Sequence, residues 1–349
     1  MMGRTNCPKY KLIMNKFISF FLSLAFAGST FAQMPGYSTS QSDGTTLGAN
    51  ETLTADGIAL GNAVKLRGYV NTILHRQDNS PSPHDGTYIN GDIDLLIDLS
   101  PITSEIHLTA GDSTSNGNDV NLEQAFGRYS FNQDFHLTFG RQVSVLGFDS
   151  DEWTTRYAVT NSYSGDAAKN PGKGYFDGLR LNYNNGMFGF ILGLHDEYGM
   201  HAGGLNDPDD GIAIDIAASV MFFPGLEARL GFANENGGVL YDDDSQQING
   251  WLAWNPNALT LAIEFDSFNF ADDTDAWDMM LLANYQFSDF FGATLRYAHM
   301  DHEALESDRI TLALLFSITE NFDINVEYSH TSNDSDDDNE FYLQALLAY

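Results

Sequence analysis

Over 349 residues the chain sets 48 acidic side chains against 16 basic ones, for a formal charge of −32, and it has one cysteine. Such acidity excludes nucleic acid as a partner, because that recognition needs basic surface. One thiol excludes a disulfide framework, and no run after Ala32 approaches the roughly 18 apolar residues of a membrane helix.

Residues 1–32 read as a secretory signal. Lys9, Lys11 and Lys16 make a basic start, Phe17–Ala27 is apolar, and Thr30-Phe31-Ala32 supplies the cleavage positions. Cleavage there removes Cys7 together with Arg4 and the three lysines but no acid, so the exported chain is more acidic still. Residues 33–62, polar and rich in Gly, Ser and Thr, read as a periplasmic tail. The remainder, 63–349, reads as one domain.

From Val64 onward, segments of alternating apolar and polar residues recur to the last residue, the period of a strand with one face against something apolar. The pattern predicts sixteen strands, near 64–76, 88–99, 105–111, 120–131, 135–143, 174–183, 187–195, 212–222, 226–234, 246–254, 259–267, 277–287, 290–300, 309–318, 322–329 and 340–349. A β-sandwich would alternate too, but three features favour a membrane barrel. Tight links such as Asn132-Gln133-Asp134, Asn184-Asn185-Gly186, Pro224-Gly225 and Ser288-Asp289 take turns with longer acidic ones at 77–87, 144–173, 196–211, 235–245, 301–308 and 330–339. That is the habit of an up-and-down barrel with short periplasmic turns and long external loops. Phe131, Phe135, Tyr183, Phe188, Phe222, Phe287, Phe291 and Phe322 flank the tight turns on the apolar parity of their strands, as an interfacial aromatic girdle does. Lastly, Phe341, Leu343, Ala345, Leu347 and Tyr349 alternate to the end, like the C-terminal assembly signal of bacterial outer-membrane proteins, with Tyr349 where Phe is usual.

A base facing lipid at the bilayer midplane costs roughly 2–4 kcal/mol, so mid-strand charges belong inside. Lys65, Arg67, Arg128, Arg180, Arg229 and Arg296 all fall opposite the apolar parity, as do Asp92, Asp94, Asp98, Glu105, Asp215, Glu264 and Asp266. Arg141 breaks the rule and is expected near the outer rim or after a bulge. About sixteen strands enclose an aqueous lumen, so these charges either solvate a wet interior or line a pore, and the two readings coincide. The 144–173 connection is the longest external one and the third. It combines Asp149, Asp151, Glu152, Arg156, Asp166, Lys169 and Lys173 with Trp153, Tyr157 and Tyr163, and loops of this length are functional or disordered.

Leu122-Glu123-Gln124-Ala125-Phe126-Gly127-Arg128-Tyr129, then Leu137-Thr138-Phe139-Gly140-Arg141-Gln142, Gly147 and Gly174-Tyr175-Phe176-Asp177-Gly178-Leu179 resemble general bacterial porins and, more narrowly, the OmpL-like β-barrel porin-2 family. The resemblance implies a third external loop folded inward, with the acids Asp149, Asp151 and Glu152 facing Arg67, Arg128 and Arg180 across the narrowest point and Arg156 also in the constriction. It also implies a channel in outer-membrane lipid, placed there by the assembly machinery, that passes small hydrophilic solutes and ions by passive diffusion, and it permits a homotrimer. The acidic balance makes a cation preference the expectation.

Cofactors are not expected, though the acidic loops offer oxygen ligands for weak Ca²⁺ or Mg²⁺ binding. An enzyme is not expected either. His195-Asp196, His201, Asp301-His302 and His330 supply hydrolase residue types near external loops, but no Gly-x-Ser-x-Gly, His-Glu-x-x-His or phosphate-loop motif is present. The alternatives are a structural or adhesive barrel plugged by residues 33–62 and, less favoured, an outer-membrane hydrolase.

Overall fold

Hydrophobic alternation along the chain becomes a single antiparallel sheet closed on itself. In a computed structural model of the protein, the described residues are 47–53, 55–78, 85–113, 117–149, 152–166, 170, 172–196, 212–236, 244–272, 274–302, 305–333 and 337–349. The segment read as a signal, 1–32, and the first part of the segment read as a tail, 33–46, lie outside them. After a two-residue β1 (Ile58–Ala59) come β2 (Val64–Asp78), β3 (Asp85–Leu99), β4 (Ile102–Ser113), β5 (Gly117–Ser130), β6 (Phe135–Val143), β7 (Tyr175–Asn184), β8 (Phe188–His195) and β9 (Ala213–Phe223). The second half holds β10 (Leu226–Glu235), β11 (Ser245–Trp254), β12 (Leu259–Asn269), β13 (Asp275–Ser288), β14 (Phe291–His302), β15 (Leu305–Thr319), β16 (Phe322–Asn333) and β17 (Asp337–Ala348). Among the described residues no helix is long and apolar enough to cross a membrane.

Each strand from β2 to β17 pairs with its sequence neighbours, and β17 closes the ring on β2 in the register Ala348↔Tyr69 to Asn339↔Asp78. Tyr349 extends that seam: its N–H donates to the Gly68 carbonyl and the Gly68 N–H to its own, both at 2.9 Å. A Cβ on Gly68 would run into the Asp92 carbonyl and come within 3.0 Å of the Tyr349 hydroxyl, so the seam needs glycine there. β1, inside the segment read as tail, pairs with β2 through Ile58↔Leu66 and Ala59↔Lys65. Closure leaves no open edge between β2 and β17, which a sheet in lipid requires.

Period two sorts the side chains. On β10, Glu227, Arg229, Gly231, Ala233 and Glu235 are buried while Leu230 between them is 69% exposed; on β8, Phe188, Phe190, Leu192 and Leu194 are exposed and His195 is buried. Apolar outside and polar inside is the inverse of a water-soluble protein and the arrangement lipid demands. Around the tight-turn end, Phe131, Tyr183, Phe188, Phe222 and Phe287 stand exposed. Tyr129, Phe131 and Phe135 form one run of ring contacts, and Tyr285, Phe287, Phe291 and Phe316 form another.

The turns follow from their residues. The Asn132 side-chain oxygen accepts from the Asp134 and Phe135 N–H groups at 2.9 and 3.0 Å, and Asn185 does the same for Met187 and Phe188 at 3.0 and 2.8 Å. Gly186 and Gly225 take positive φ (84° and 89°) at the tips of their turns. At the other end the strands outrun the sequence pattern: β15 begins at Leu305, β16 reaches Asn333 and β17 begins at Asp337. Main-chain pairing continues above the lipid, where no apolar face is needed to mark it. Arg141 has its outward parity and stands two residues from the long-loop end of β6, paired at 3.2 Å with Asp177 on β7. It lies at the rim, in line with the first of the two expectations.

Candidate functional site

The inner face is a chain of paired charges. On the wall made by β2 to β5, Arg67 Nε donates to Asp94 Oδ2 at 2.6 Å, Asp94 meets His107 at 3.3 Å, and His107 Nε2 meets Glu105 at 3.0 Å. On the adjoining wall, Arg180 donates to Asp215 at 3.1 Å and to the Val143 carbonyl at 2.5 Å, while His195 contacts the other Asp215 oxygen at 3.2 Å. Arg229 lies over the Trp251 ring at 4.8 Å with Glu227 at 3.7 Å. Among the described residues, eleven carboxylates are buried against four lysines and arginines, so this interior is negative.

Two chain segments enter it. The first is Leu47–Ala55, at the tight-turn end. Asn184 Nδ2 donates to the Leu47 carbonyl at 2.7 Å, Arg128 Nη1 donates to Asn50 Oδ1 at 2.7 Å and Thr52 Oγ1 at 3.0 Å, and Thr52 donates to Glu105. Lys65 Nζ finishes the contact on the Ala55 carbonyl at 2.6 Å. This part of the tail therefore lies from β7 to β2 against inward-facing side chains.

The second is the 144–174 connection between β6 and β7. Its opening is fixed to β11 and β12: the Gly147 N–H donates to Asn249 at 2.9 Å and the Phe148 N–H to Glu264 at 2.7 Å. Three residues beyond Asp149, Glu152 presents a carboxylate oxygen within 4.8 Å of ones on Asp92 of β3 and Glu123 of β5. In a ring of sixteen strands, β4 and β12 are eight apart, so these contacts lie on opposite walls. The chain then returns. Thr160 donates through its N–H to Glu327 at 2.9 Å, Tyr163 meets Ser307 at 2.8 Å and Ser164 donates to Asp278 at 3.1 Å, on β16, β15 and β13. Arg296 on β14 gathers the loop, donating to the Thr160 carbonyl at 2.6 Å, Thr160 Oγ1 at 2.9 Å, the Asn161 carbonyl at 3.0 Å and Asp149 at 3.3 Å. Lys173 Nζ returns to the Asp149 carbonyl at 2.9 Å.

Apolar contacts seat the same loop. Leu47, Val145, Leu146, Phe176 and Ile191 cluster with inward-facing Ala213, Ala217 and Ala233, and Gly231 opens the space into which the Leu146 side chain fits. Phe148 and Tyr157 stack at 5.8 Å and join Trp251 and Met280 in a second cluster. Small residues on the β9 and β10 walls leave room that the loop's larger side chains fill.

Solved structures share this architecture. The anion-selective porin from Comamonas acidovorans superposes with a TM-score of 0.65 at 15% identity, over 82% of this chain and 99% of that one. OmpF from Salmonella typhi, in complex with daunomycin, gives 0.66 at 13% identity over 83% and 98%, and OprB from Pseudomonas putida 0.64 at 13% over 82% and 94%. The fold is the sixteen-stranded porin barrel. No protein-family model matches the sequence, and no curated protein matches it.

Within this porin fold, the charges read as inward-facing are distributed as follows. Arg67, Arg128 and Arg180 face inward, but each is engaged by the wall or by the tail: Arg67 by Asp94, Arg128 by Asn50 and Thr52, Arg180 by Asp215. Asp149 is brought to Arg296 and Lys173, on the loop's own anchoring side. Glu152 is brought to Asp92 and Glu123, and Arg156 stacks over Trp153 at 3.7 Å. Asp151 lies outside the described residues. Glu264, Asp266 and Arg229 are buried in the wall, and Lys65 holds the tail. Glu123, Glu327 and Asp278 escaped the parity argument. Glu123 is the extra residue of a bulge where the β4–β5 register passes from His107↔Gln124 to Leu108↔Leu122, so strict alternation misplaces it.

Proposed function

We propose that the protein sits in the outer membrane as a porin, an aqueous channel for passive diffusion of small hydrophilic solutes and ions. The observation that carries this is a closed sixteen-strand wall, apolar outside and charged inside, with its third external loop bonded to one inner wall at Glu264 and bringing Glu152 up to Asp92 and Glu123 on the opposite wall. A barrel of this size has room for water beside such a loop. The loop's crossing residues, Glu152 to Arg156, form the constriction, with Asp92 and Glu123 as its facing wall. The excess of inward carboxylates supports a cation preference, since acidic rings raise local cation concentration. The anion selectivity of the porin from Comamonas acidovorans belongs to that protein, and a shared fold does not fix the sign of selectivity. A homotrimer inserted by the outer-membrane assembly machinery completes the reading.

The test is single-channel conductance of the refolded protein in a planar bilayer, with the reversal potential taken under a salt gradient. Open steps with a cation-selective reversal potential support the reading; open steps selective for anions remove the cation preference and leave the channel. Silence from a folded barrel favours a second reading, a barrel plugged by Leu47–Ala55, which the bonds of that segment to Arg128, Glu105 and Asn184 support.

A further inference from the structure

We propose that Asp92, Glu123 and Glu152 form a binding site for a hard divalent cation of the Ca²⁺ class, clasping the crossing loop to the wall opposite its anchors. One oxygen from each carboxylate lies within 4.8 Å of the other two. Ligands on opposite sides of Ca²⁺, each at about 2.4 Å, stand about that far apart. The three residues come from β3, from β5 and from the loop, so no local turn or helix brings them together. A tertiary arrangement does.

The second observation concerns Asp92 alone. It is 3% exposed, no N–H donor reaches either of its carboxylate oxygens, and its nearest polar partners are the carboxyls of Asp94 and Glu123. A buried carboxylate without a donor is costly unless something positive meets it. Arg67, two positions along β2 from Tyr69 opposite Asp92, gives its Nε to Asp94 at 2.6 Å, and His107 lies between Asp94 and Glu105. Glu123 adds a third argument. As the extra residue of the β4–β5 bulge it is turned to the inner face from a position that parity would point outward, and bulges re-aim side chains in this way beside functional sites. Arg156, stacked on Trp153, brings one positive charge on the same stretch of loop against three negative ones. Water from the lumen can complete the coordination, because Glu123 and Glu152 are only partly buried.

The inference requires only the barrel and its inward loop, and holds whether or not the lumen conducts. Ca²⁺ is titrated calorimetrically into chelator-treated protein refolded in detergent, with Tb³⁺ luminescence excited through Trp153 as a second readout. One Ca²⁺ per chain is expected, with Kd of about 10⁻⁴–10⁻³ M by analogy with extracellular calcium modules. Asp92→Asn, Glu123→Gln and Glu152→Gln should each weaken it at least tenfold, their combination should abolish it, and Arg156→Gln should tighten it a few-fold. Neutralising the acidic run 334–338 should leave it unchanged. Ca²⁺ should also slow tryptic cleavage after Arg156 in the wild type but not in Glu152→Gln. Unaltered stoichiometry and affinity in the triple variant would overturn the proposal, as would the lack of a saturable single site in the wild type. If a wall variant fails to fold, as judged by unheated gel mobility, the loop variant Glu152→Gln and the wild-type stoichiometry decide the matter.

Discussion

Replacing Arg296 by methionine should release the third external loop while leaving the barrel closed. The guanidinium and Asp149 are both 1% exposed at their side chains, and the arginine makes four bonds to the loop, to Asp149, Thr160 and Asn161. Removing one partner of a buried pair costs about 3–5 kcal/mol, because the other charge is left uncompensated. Asp149 keeps the Ser162 N–H at 2.5 Å, which places the expectation at the lower end, about 3 kcal/mol. At 1.36 kcal/mol per factor of ten, the undocked loop becomes roughly a hundred times more populated. Native-state trypsin cleavage after Arg156 or Lys173 follows that population when docking is fast relative to cleavage, so its rate should rise about a hundredfold. Adding Asp149→Asn should recover part of the loss, because a neutral pair leaves no stranded charge. A cleavage rate within about twofold of wild type in Arg296→Met would refute the idea that this pair holds the loop.

The lipid-facing assignment predicts that Leu230→Arg, at a mid-strand position 69% exposed, lowers stability to urea in vesicles by about 2–4 kcal/mol, although arginine is native one residue earlier at 229. An effect under about 0.5 kcal/mol would mean that β10 does not face lipid there. At the seam, Gly68→Val should force β2 and β3 apart around the Asp92 carbonyl, costing at least about 1–3 kcal/mol and reducing the folded, heat-modifiable gel band; an unchanged band yield and urea midpoint would count against the closure geometry. Refolding a chain that begins at residue 60 should raise single-channel conductance, since Leu47–Ala55 and β1 no longer occupy the tight-turn end; unchanged conductance would show that the segment lies beside the path rather than in it.

Period two and turn chemistry carried most of the architecture. β6 spans 135–143 as expected, and the other barrel strands keep their expected order and hairpin partners. Both signals are local: an apolar face facing lipid leaves its mark on every second residue, and an Asx turn leaves its mark on the asparagine that makes it. The interior was less legible because its pairs are made across the ring. Arg67 could be assigned inward from its parity, but its bond to Asp94 depends on the β2–β3 register Arg67↔Asp94. Asp149 could be recognised as a loop acid, but its meeting with Arg296 spans 147 positions. Glu123 was hidden by a bulge, which is invisible to any fixed period. The tail looked featureless because polar residues that dock onto polar walls have the same composition as those that meet water.

These two kinds of legibility have one physical origin. Alternate residues of a barrel strand face different solvents, so the outward set is constrained by lipid along every strand, whereas the inward set is constrained only by what it meets. The outward constraint is common to barrels of this size, and structures only 13–15% identical to this chain therefore superpose over more than four-fifths of it. In the proposed channel, selectivity would be set by the inward residues and by the loop that crosses between them. Here those residues place three carboxylates where the crossing meets the wall, and they pair Arg67 and Arg180 with wall acids rather than aligning them as an unpaired basic ladder. External acidic loops are screened within about 8–10 Å at ordinary salt, so in the proposed channel the charge met at the crossing would be that of Asp92, Glu123 and Glu152. On the channel and cation-site proposals together, the sign of selectivity depends on these three side chains and on a cation bound between them, more than on the formal charge of the chain.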